Sequence, residues 1–390
     1  MINSIKKLKK INAKKVLLRL DLNVQIKDGK ILDDYRLEAA KETIEFLLKK
    51  KAKLIIISHL GKAEGKRDEK YSLKPVALKL KEILKQPLKF SPEHEPLKVL
   101  NEVSKLKNGE ILMLENLRFN SGELKNETLF AKQLASLADL YVNDAFSVSH
   151  RSQASVDAIK KYLPSYAGLL MEKELEALAK ILKPKKPFIA IMGGAKISTK
   201  APLIEKFLTK AEKILIGGAL ATTFVKEMGF EVGKSLYDKD SAKIITKLFK
   251  IKGAAEKISL PIDFVVLTRD GKAKVVRPDE VKKSESILDI GPETIGIFAE
   301  YIKSASTLVW NGPMGKFEDG RFKQGSLSLA RLVATRSKGR AYGLVGGGET
   351  VAVLKMTKME EYVDFVSTAG GAMLSYLGGE KMPGLKKIVK

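Results

Sequence analysis

The sequence predicts an α/β protein made of two Rossmann-like, three-layer α/β/α domains with mostly parallel sheets, joined by a hinge helix. Three observations carry that expectation. Short apolar runs alternate with amphipathic helical stretches along the whole chain. The runs are apolar on both faces, as parallel strands covered by helices on both sides must be. A charged helical stretch followed by a proline-bounded linker divides the 390 residues near their middle.

Taken in order, the strands expected in the first half are Val16–Leu20, Leu54–Ser58, Ile111–Leu114 and Leu140–Asn143. Those in the second half are Phe188–Met192, Ile214–Ile216, Phe264–Leu267, Thr307–Trp310, Gly343–Val345 and Asp364–Val366. Between them Arg36–Lys50, Leu124–Leu137, Ala201–Lys210 and Arg321–Thr335 carry the helical spacing of apolar residues. Met171–Leu182 reads as the connecting helix, and Pro184 and Pro187 stop it before the next strand. The expected division is residues 1–168, a linking helix over 169–186, a second domain over 187–370, and a C-terminal segment, 371–390, that packs back on the first domain.

Composition removes several function classes. With no cysteine, thiolate nucleophiles, disulfides and Cys-based metal sites are excluded. The start, rich in lysine, lacks an apolar stretch with a small-residue cleavage site, so no signal peptide is expected and the cytoplasm is the expected location. No stretch of 18 apolar residues occurs, so no membrane span is expected. The formal charge of +25 invites a nucleic-acid reading, but the lysines are spread through most helices and no finger, basic zipper or aromatic-interleaved basic sheet is present. A basic cleft for small polyanions fits better, and nucleic acid is not expected as a partner. A lysine-rich face with a second, interaction role is compatible with the sequence, which identifies no partner for it.

The most telling stretch is FIAIMGGAKISTK, where a strand runs into Gly193-Gly194 and then Lys196 and Lys200. Glycines let backbone N–H groups approach phosphate oxygens, and a helix start adds partial positive charge. Lys196 and Lys200 share a face if the turn between them is helical. Taken alone, this is as well read as a tight turn with two surface lysines. The Walker A spacing is absent, and so is the GxGxxG turn that a dinucleotide-dependent oxidoreductase needs. Four more strand ends in the same half carry glycine: Gly217-Gly218, Asn311-Gly312, Gly346-Gly347-Gly348-Glu349-Thr350 and Gly370-Gly371. Five such ends exceed what ordinary βα turns need, and a phosphate site, with Glu349 and Thr350 at its Mg²⁺–nucleotide end, is expected.

In the first half each strand end presents polar or basic groups. Arg19, Asp21 and Asn23 close the first strand, and Arg36 opens the next helix. His59 and Lys62 follow the second strand, Arg118 the third, and His150 and Arg151 the fourth. The planar fork of arginine suits carboxylate and phosphate oxygens, so a small phosphorylated acid is the expected ligand. No histidine pair has metal-ligand spacing, and His94 has no expected role.

The stretches RLDLNV, DDYR, ISHLG, MLENLRF, VNDAFSVSHR, MGGAKISTK, LIGGALATTF, VWNGPMGKFE, GGGET and VSTAGGAMLSYLGG, in this order, resemble the phosphoglycerate kinases along essentially the whole chain. The resemblance implies a Mg²⁺-dependent kinase of glycolysis and gluconeogenesis, usually monomeric. Its substrates would be 1,3-bisphosphoglycerate with ADP and 3-phosphoglycerate with ATP. It implies that Asp21, Asn23, Arg36, His59, Lys62, Arg118 and Arg151 bind the acid. Arg36 would also face the transferring group. Lys196 would follow the phosphoryl group, and Lys200 would hold nucleotide phosphate. Gly194, Gly218, Asn311, Glu318, Gly346, Gly347 and Gly348 would line the nucleotide pocket, with Glu318 on the ribose. Thr350 and Glu349 would lie at the Mg²⁺–phosphate end, Glu349 reaching the metal directly or through water. Gly370 and Gly371 would present a helix start to the reacting group once a hinge motion has closed the domains. The chain departs from the family where Lys62 replaces the usual arginine, Glu349 the usual aspartate and Gln153 a frequent histidine.

Overall fold

The computed structural model describes residues 2–389. It divides into two compact units, one of Met1–Glu176 with Lys381–Lys390 and one of Ala177–Glu380.

In the first unit the strands are β1 (Lys15–Arg19), β2 (Ile26–Lys27), β3 (Lys30–Ile31), β4 (Lys53–Ile57), β5 (Lys89–Phe90), β6 (Ile111–Met113), β7 (Leu140–Asn143) and β8 (Ser165–Ala167). Six of them form one sheet in the order β5-β6-β4-β1-β7-β8, every pairing parallel. The central strand buries Val16, Leu17 and Leu18 completely, one face against the helix Tyr35–Lys49 and the other beside Tyr141 and Ile159. That two-sided burial is why β1 reads as a continuous apolar run rather than an alternation. The strand order reverses beside β1, with β4 on one side and β7 on the other. The carboxyl ends there form the crevice in which open α/β sheets bind ligands. β2 and β3 form a separate antiparallel hairpin.

The second unit contains β9 (Phe188–Met192), β10 (Lys213–Ile216), β11 (Ile258–Ser259), β12 (Phe264–Leu267), β13 (Ala273–Val276), β14 (Ser286–Ile290), β15 (Thr307–Asn311), β16 (Tyr342–Gly346) and β17 (Phe365–Ser367). Its main sheet runs β11-β10-β9-β15-β16-β17, again parallel throughout, with the order reversing beside β9. Trp310 on β15 is fully buried, and its indole N–H donates to the Gly312 carbonyl at 2.8 Å. The core thereby fixes the first residue beyond the strand.

Three sequence expectations need correction. Phe264–Leu267 is a strand, but it lies in a separate antiparallel sheet, β13-β12-β14. Its Val265 and Leu267 are only half-buried, the alternation of a strand covered on one face. Leu124–Leu137 is two helices, Ser121–Leu124 and Thr128–Ala135. Asn126 adopts φ +56° between them, and its amide donates to Asp157 instead of continuing the spiral. The segment 371–390 does not act as one piece. The helix Gly371–Gly378 belongs to the second unit, and only residues from 381 onward join the first. The linking helix spans Leu169–Leu182, and the division between units falls inside it, after Glu176.

Candidate functional site

At the carboxyl ends of β1, β4, β6 and β7 four arginines converge. Arg36 Nη1 lies 2.8 Å from Asp21 Oδ2 and donates to the Asn23 carbonyl at 2.9 Å. Asp21 also accepts the Ser147 hydroxyl and, at 3.1 Å, the Asn23 N–H. The Asn23 side chain in turn accepts the Gly61 N–H at 2.8 Å, tying the β1 end to the β4 end. Arg118 is held by a short helical turn capped by Asn116 and donates from Nη1 to the Gly61 carbonyl at 2.6 Å. It is 5% exposed, and its Nε and Nη2 are buried with no partner. Burial first, then the charges of Arg151 and Arg19, bring its pKa down to about 10. A buried guanidinium with unspent donors among like charges is an unfavourable arrangement until an anion fills it.

His59 is fully buried, and its pKa is held well below the ordinary imidazole value, first by desolvation and then by Arg19, Arg118, Arg151 and Arg36. Lys62 and Arg151 are exposed. Gln153 is buried, and its Oε1 has no partner among the described residues.

In the second unit the glycine-bearing ends of β9, β10 and β15 pack backbone against backbone. Gly193 N–H donates to the Asn311 carbonyl at 2.9 Å, and Gly194 N–H to that of Pro313 at 3.1 Å. Gly312 has φ +95°, and a methyl group on it would lie 2.4 Å from the Gly193 carbonyl carbon. Only glycine permits both that conformation and that approach. Thr350 is fully buried, its hydroxyl oxygen accepting the Gly312 N–H at 2.7 Å. Asn311 donates to the Gly346 carbonyl at 2.7 Å and receives the Lys200 ammonium. Lys200 is 6% exposed, and burial lowers its pKa to about 8, partly offset by the charge of Glu349.

The condition for the two lysines to share a helical face, a helical turn between them, is not met. The helix begins only at Ala201, so Lys196 and Lys200 lie on the irregular turn before it. Lys196 is exposed while Lys200 is buried beneath Gly194.

Gly194, Gly218, Glu318 and Glu349 line a cavity of about 440 Å³. Its wall is apolar, with Leu236, Phe264, Leu288 and Met314, and Lys316 and Lys234 also line it. Sequence reasoning assigned none of these residues a role: Lys234, Leu236, Phe264 and Leu288 lie outside the recognised motifs, and Met314 and Lys316 lie inside VWNGPMGKFE, where only Asn311, Gly312 and Glu318 drew attention. Gly347 and Gly348 lead into the helix Gly348–Thr357, which carries Glu349 in its first turn. Gly370, at φ +43°, precedes the helix Gly371–Gly378. Asp289 lines the same cavity, accepting the Gly325 N–H at 2.8 Å, and burial raises its pKa to about 7. Among the described residues no group of three or more His, Asp or Glu side chains is placed to hold a metal. No described helix is long and apolar enough to cross a membrane.

Two doubly wound units, one with converging arginines and one with a glycine-turned cavity and a lysine buried beneath the Gly194 turn, define an α/β protein of the two-unit kinase class. A phosphoglycerate kinase family model matches residues 5–380. The phosphoglycerate kinase of Finegoldia magna is 43% identical over 389 residues, covering 97% of this chain and 98% of that protein. That of Francisella tularensis is 43% identical over 383 residues, covering 96% and 95%. Solved phosphoglycerate kinase structures from Coxiella burnetii and Pyrococcus horikoshii superpose with TM-scores of 0.86 and 0.87, at 38% and 31% identity. Each superposition covers 100% of this chain, and 99% and 98% of the other. The chain belongs to the phosphoglycerate kinase family, a kinase family of glycolysis acting on small molecules.

Proposed function

We propose that this chain transfers a phosphoryl group reversibly between 1,3-bisphosphoglycerate with ADP and 3-phosphoglycerate with ATP, with the acid's carboxylate as acceptor. The observation that supports this most is Arg118, whose buried, unspent donors sit beside Arg19 and Arg151 and call for a polyanion. In this reading Asp21, Asn23, His59, Lys62, Arg118 and Arg151 hold the acid, and Arg36 leans toward the group in transit. Lys200 holds nucleotide phosphate from below the Gly194 turn. Lys196, exposed on that turn, follows the moving phosphoryl group. The apolar wall of the cavity takes the base, and Glu318 takes the ribose.

A carboxylate is already a nucleophile, so the attack needs neither a general base nor a covalent intermediate. What remains for the side chains is alignment and neutralisation of charge on an in-line phosphoryl group. Mg²⁺ binds through one or two carboxylates plus substrate phosphates, and Glu349, an exposed carboxylate at the cavity, fits that donor set. When bound, the metal neutralises phosphate charge. Gly370 and Gly371 would offer helix-start N–H groups to the same charge. The reading includes closure of the two units around both ligands, a monomeric state, a cytoplasmic location and service in gluconeogenesis as well as glycolysis.

A coupled assay with ATP, Mg²⁺ and 3-phosphoglycerate tests it, and turnover is expected only when the acid is present. Arg36→Met is expected to lower kcat by about 10²–10³-fold, the scale of losing one preorganised donor. Rates within threefold of the parent would remove Arg36 from this role. Small-angle scattering with both ligands is expected to show a smaller radius than without them.

A further inference from the structure

Behind His59 runs a buried chain of polar groups that none of these roles requires. Glu123 is fully buried, and its two oxygens accept the Ser155 N–H at 2.8 Å and the Ser155 hydroxyl at 2.7 Å. With its proton committed to the carboxylate, the Ser155 oxygen is left to accept from Arg19 Nε at 2.9 Å. Arg19, also fully buried, spends Nη1 on the Leu20 carbonyl and sets Nη2 3.2 Å from His59 Nδ1. A guanidinium has only donors, so Nδ1 is the accepting nitrogen and the ring proton sits on Nε2. The competing arrangement, Nδ1–H toward Asp21 Oδ1, spans 4.0 Å and is no hydrogen bond. Asp21 Oδ1 in any case already accepts the Asn23 N–H at 3.1 Å. The surrounding arginines and burial both disfavour the imidazolium.

We propose that Glu123 and Ser155 are positioning residues which, through Arg19, lock His59 as the Nε2–H tautomer, giving the arginine-rich site one neutral, directional donor for an oxygen of the phosphorylated acid. This rests on the assignment of that site to the acid. A neutral donor adds direction without adding a further positive charge to a site already crowded with them. An imidazolium there would deepen the repulsion before the ligand arrives.

The chain has three histidines, so nitrogen-15 NMR of the full-length protein resolves each ring, with His59→Gln for assignment. At pH 7 His59 is expected as the Nε2–H tautomer, and adding 3-phosphoglycerate is expected to shift its Nε2 signal. Ser155→Ala is expected to give a mixture of tautomers. It should also raise KM for 3-phosphoglycerate about 3–10-fold and leave KM for the nucleotide unchanged, while Ser155→Thr restores both. An imidazolium or the Nδ1–H tautomer in the parent overturns the proposal without any variant. So does a folded Ser155→Ala protein with parental tautomer and acid KM. A parent with the expected tautomer whose His59 signals ignore the acid would leave the Glu123–Ser155–Arg19 chain standing and overturn the assignment of the site.

Discussion

Replacing Lys200 separates the chemistry of the nucleotide cavity from its shape. Its ammonium is buried beside Asn311, and burial brings its pKa to about 8, so desolvation opposes its charge while no anion is near. Nucleotide phosphate would supply the missing counter-charge and pull the proton back on. At pH 7 about nine in ten empty molecules carry the charge, and at pH 9 about one in ten. If phosphate binds only the charged form, affinity for Mg²⁺–ADP falls about tenfold over that interval, equivalent to about 1.4 kcal/mol. Near pH 8 binding should also take up about half a proton per nucleotide. Calorimetric titrations at pH 7, 8 and 9, in two buffers of different protonation enthalpy, read both quantities at once. Lys200→Met should bind more weakly at pH 7 and lose both the slope and the proton uptake. A flat affinity in the parent, or the same slope persisting in Lys200→Met, would refute the argument. The stability of the empty protein carries the complementary sign. The folded pKa lies below the unfolded one, so the cost of the buried ammonium is full below pH 8 and is relieved as pH rises toward 10.5.

Arg118→Met should raise the melting temperature of the empty protein, because it removes a buried charge with two unpartnered nitrogens, while raising KM for the acid at least tenfold. A lower melting temperature would show that Arg118 is satisfied without ligand. Gly312→Ala should cost about 2–4 kcal/mol in denaturant unfolding, combining strain at φ +95° with the clash against Gly193. Gly348→Ala, whose added carbon meets nothing within 4 Å, is the matched control and should be near neutral. Lys62→Arg should lower KM for the acid about two- to fivefold by restoring a bidentate fork. An unchanged KM would show that Lys62 stays in solvent.

What the sequence made legible was whatever depends on local pattern. The apolar runs of β1, β4, β9 and β15 announced the central strands because two-sided burial confines polar residues to their ends. Glycine at the ends of β9, β10, β15 and β16 announced the cavity, since close backbone approach leaves a trace in composition. The β12–β14 sheet was hidden because FVVL is too short to tell one-sided from two-sided burial. The break at Asn126 was hidden because apolar spacing continues across it. The chain from Glu123 to His59 was invisible for another reason. Glu123 and Ser155 lie 32 residues apart, and neither differs in type from the solvated glutamates and serines around it. Only burial distinguishes them.

The return of the last residues to the first unit sets an order on synthesis. Asn3 N–H donates to the Ile388 carbonyl at 2.8 Å, Gly384 N–H to that of Ser149 at 2.8 Å, and the buried Lys160 ammonium to that of Pro383. The first unit to leave the ribosome is therefore the last to be complete, since its closing segment is translated after all of residues 177–380. The second unit is continuous and can finish folding as soon as it emerges, whereas the first must wait with an uncovered edge beside Ser149. A chain cut short before residue 381 would hold a whole nucleotide unit and an arginine-bearing unit that lacks its closing segment.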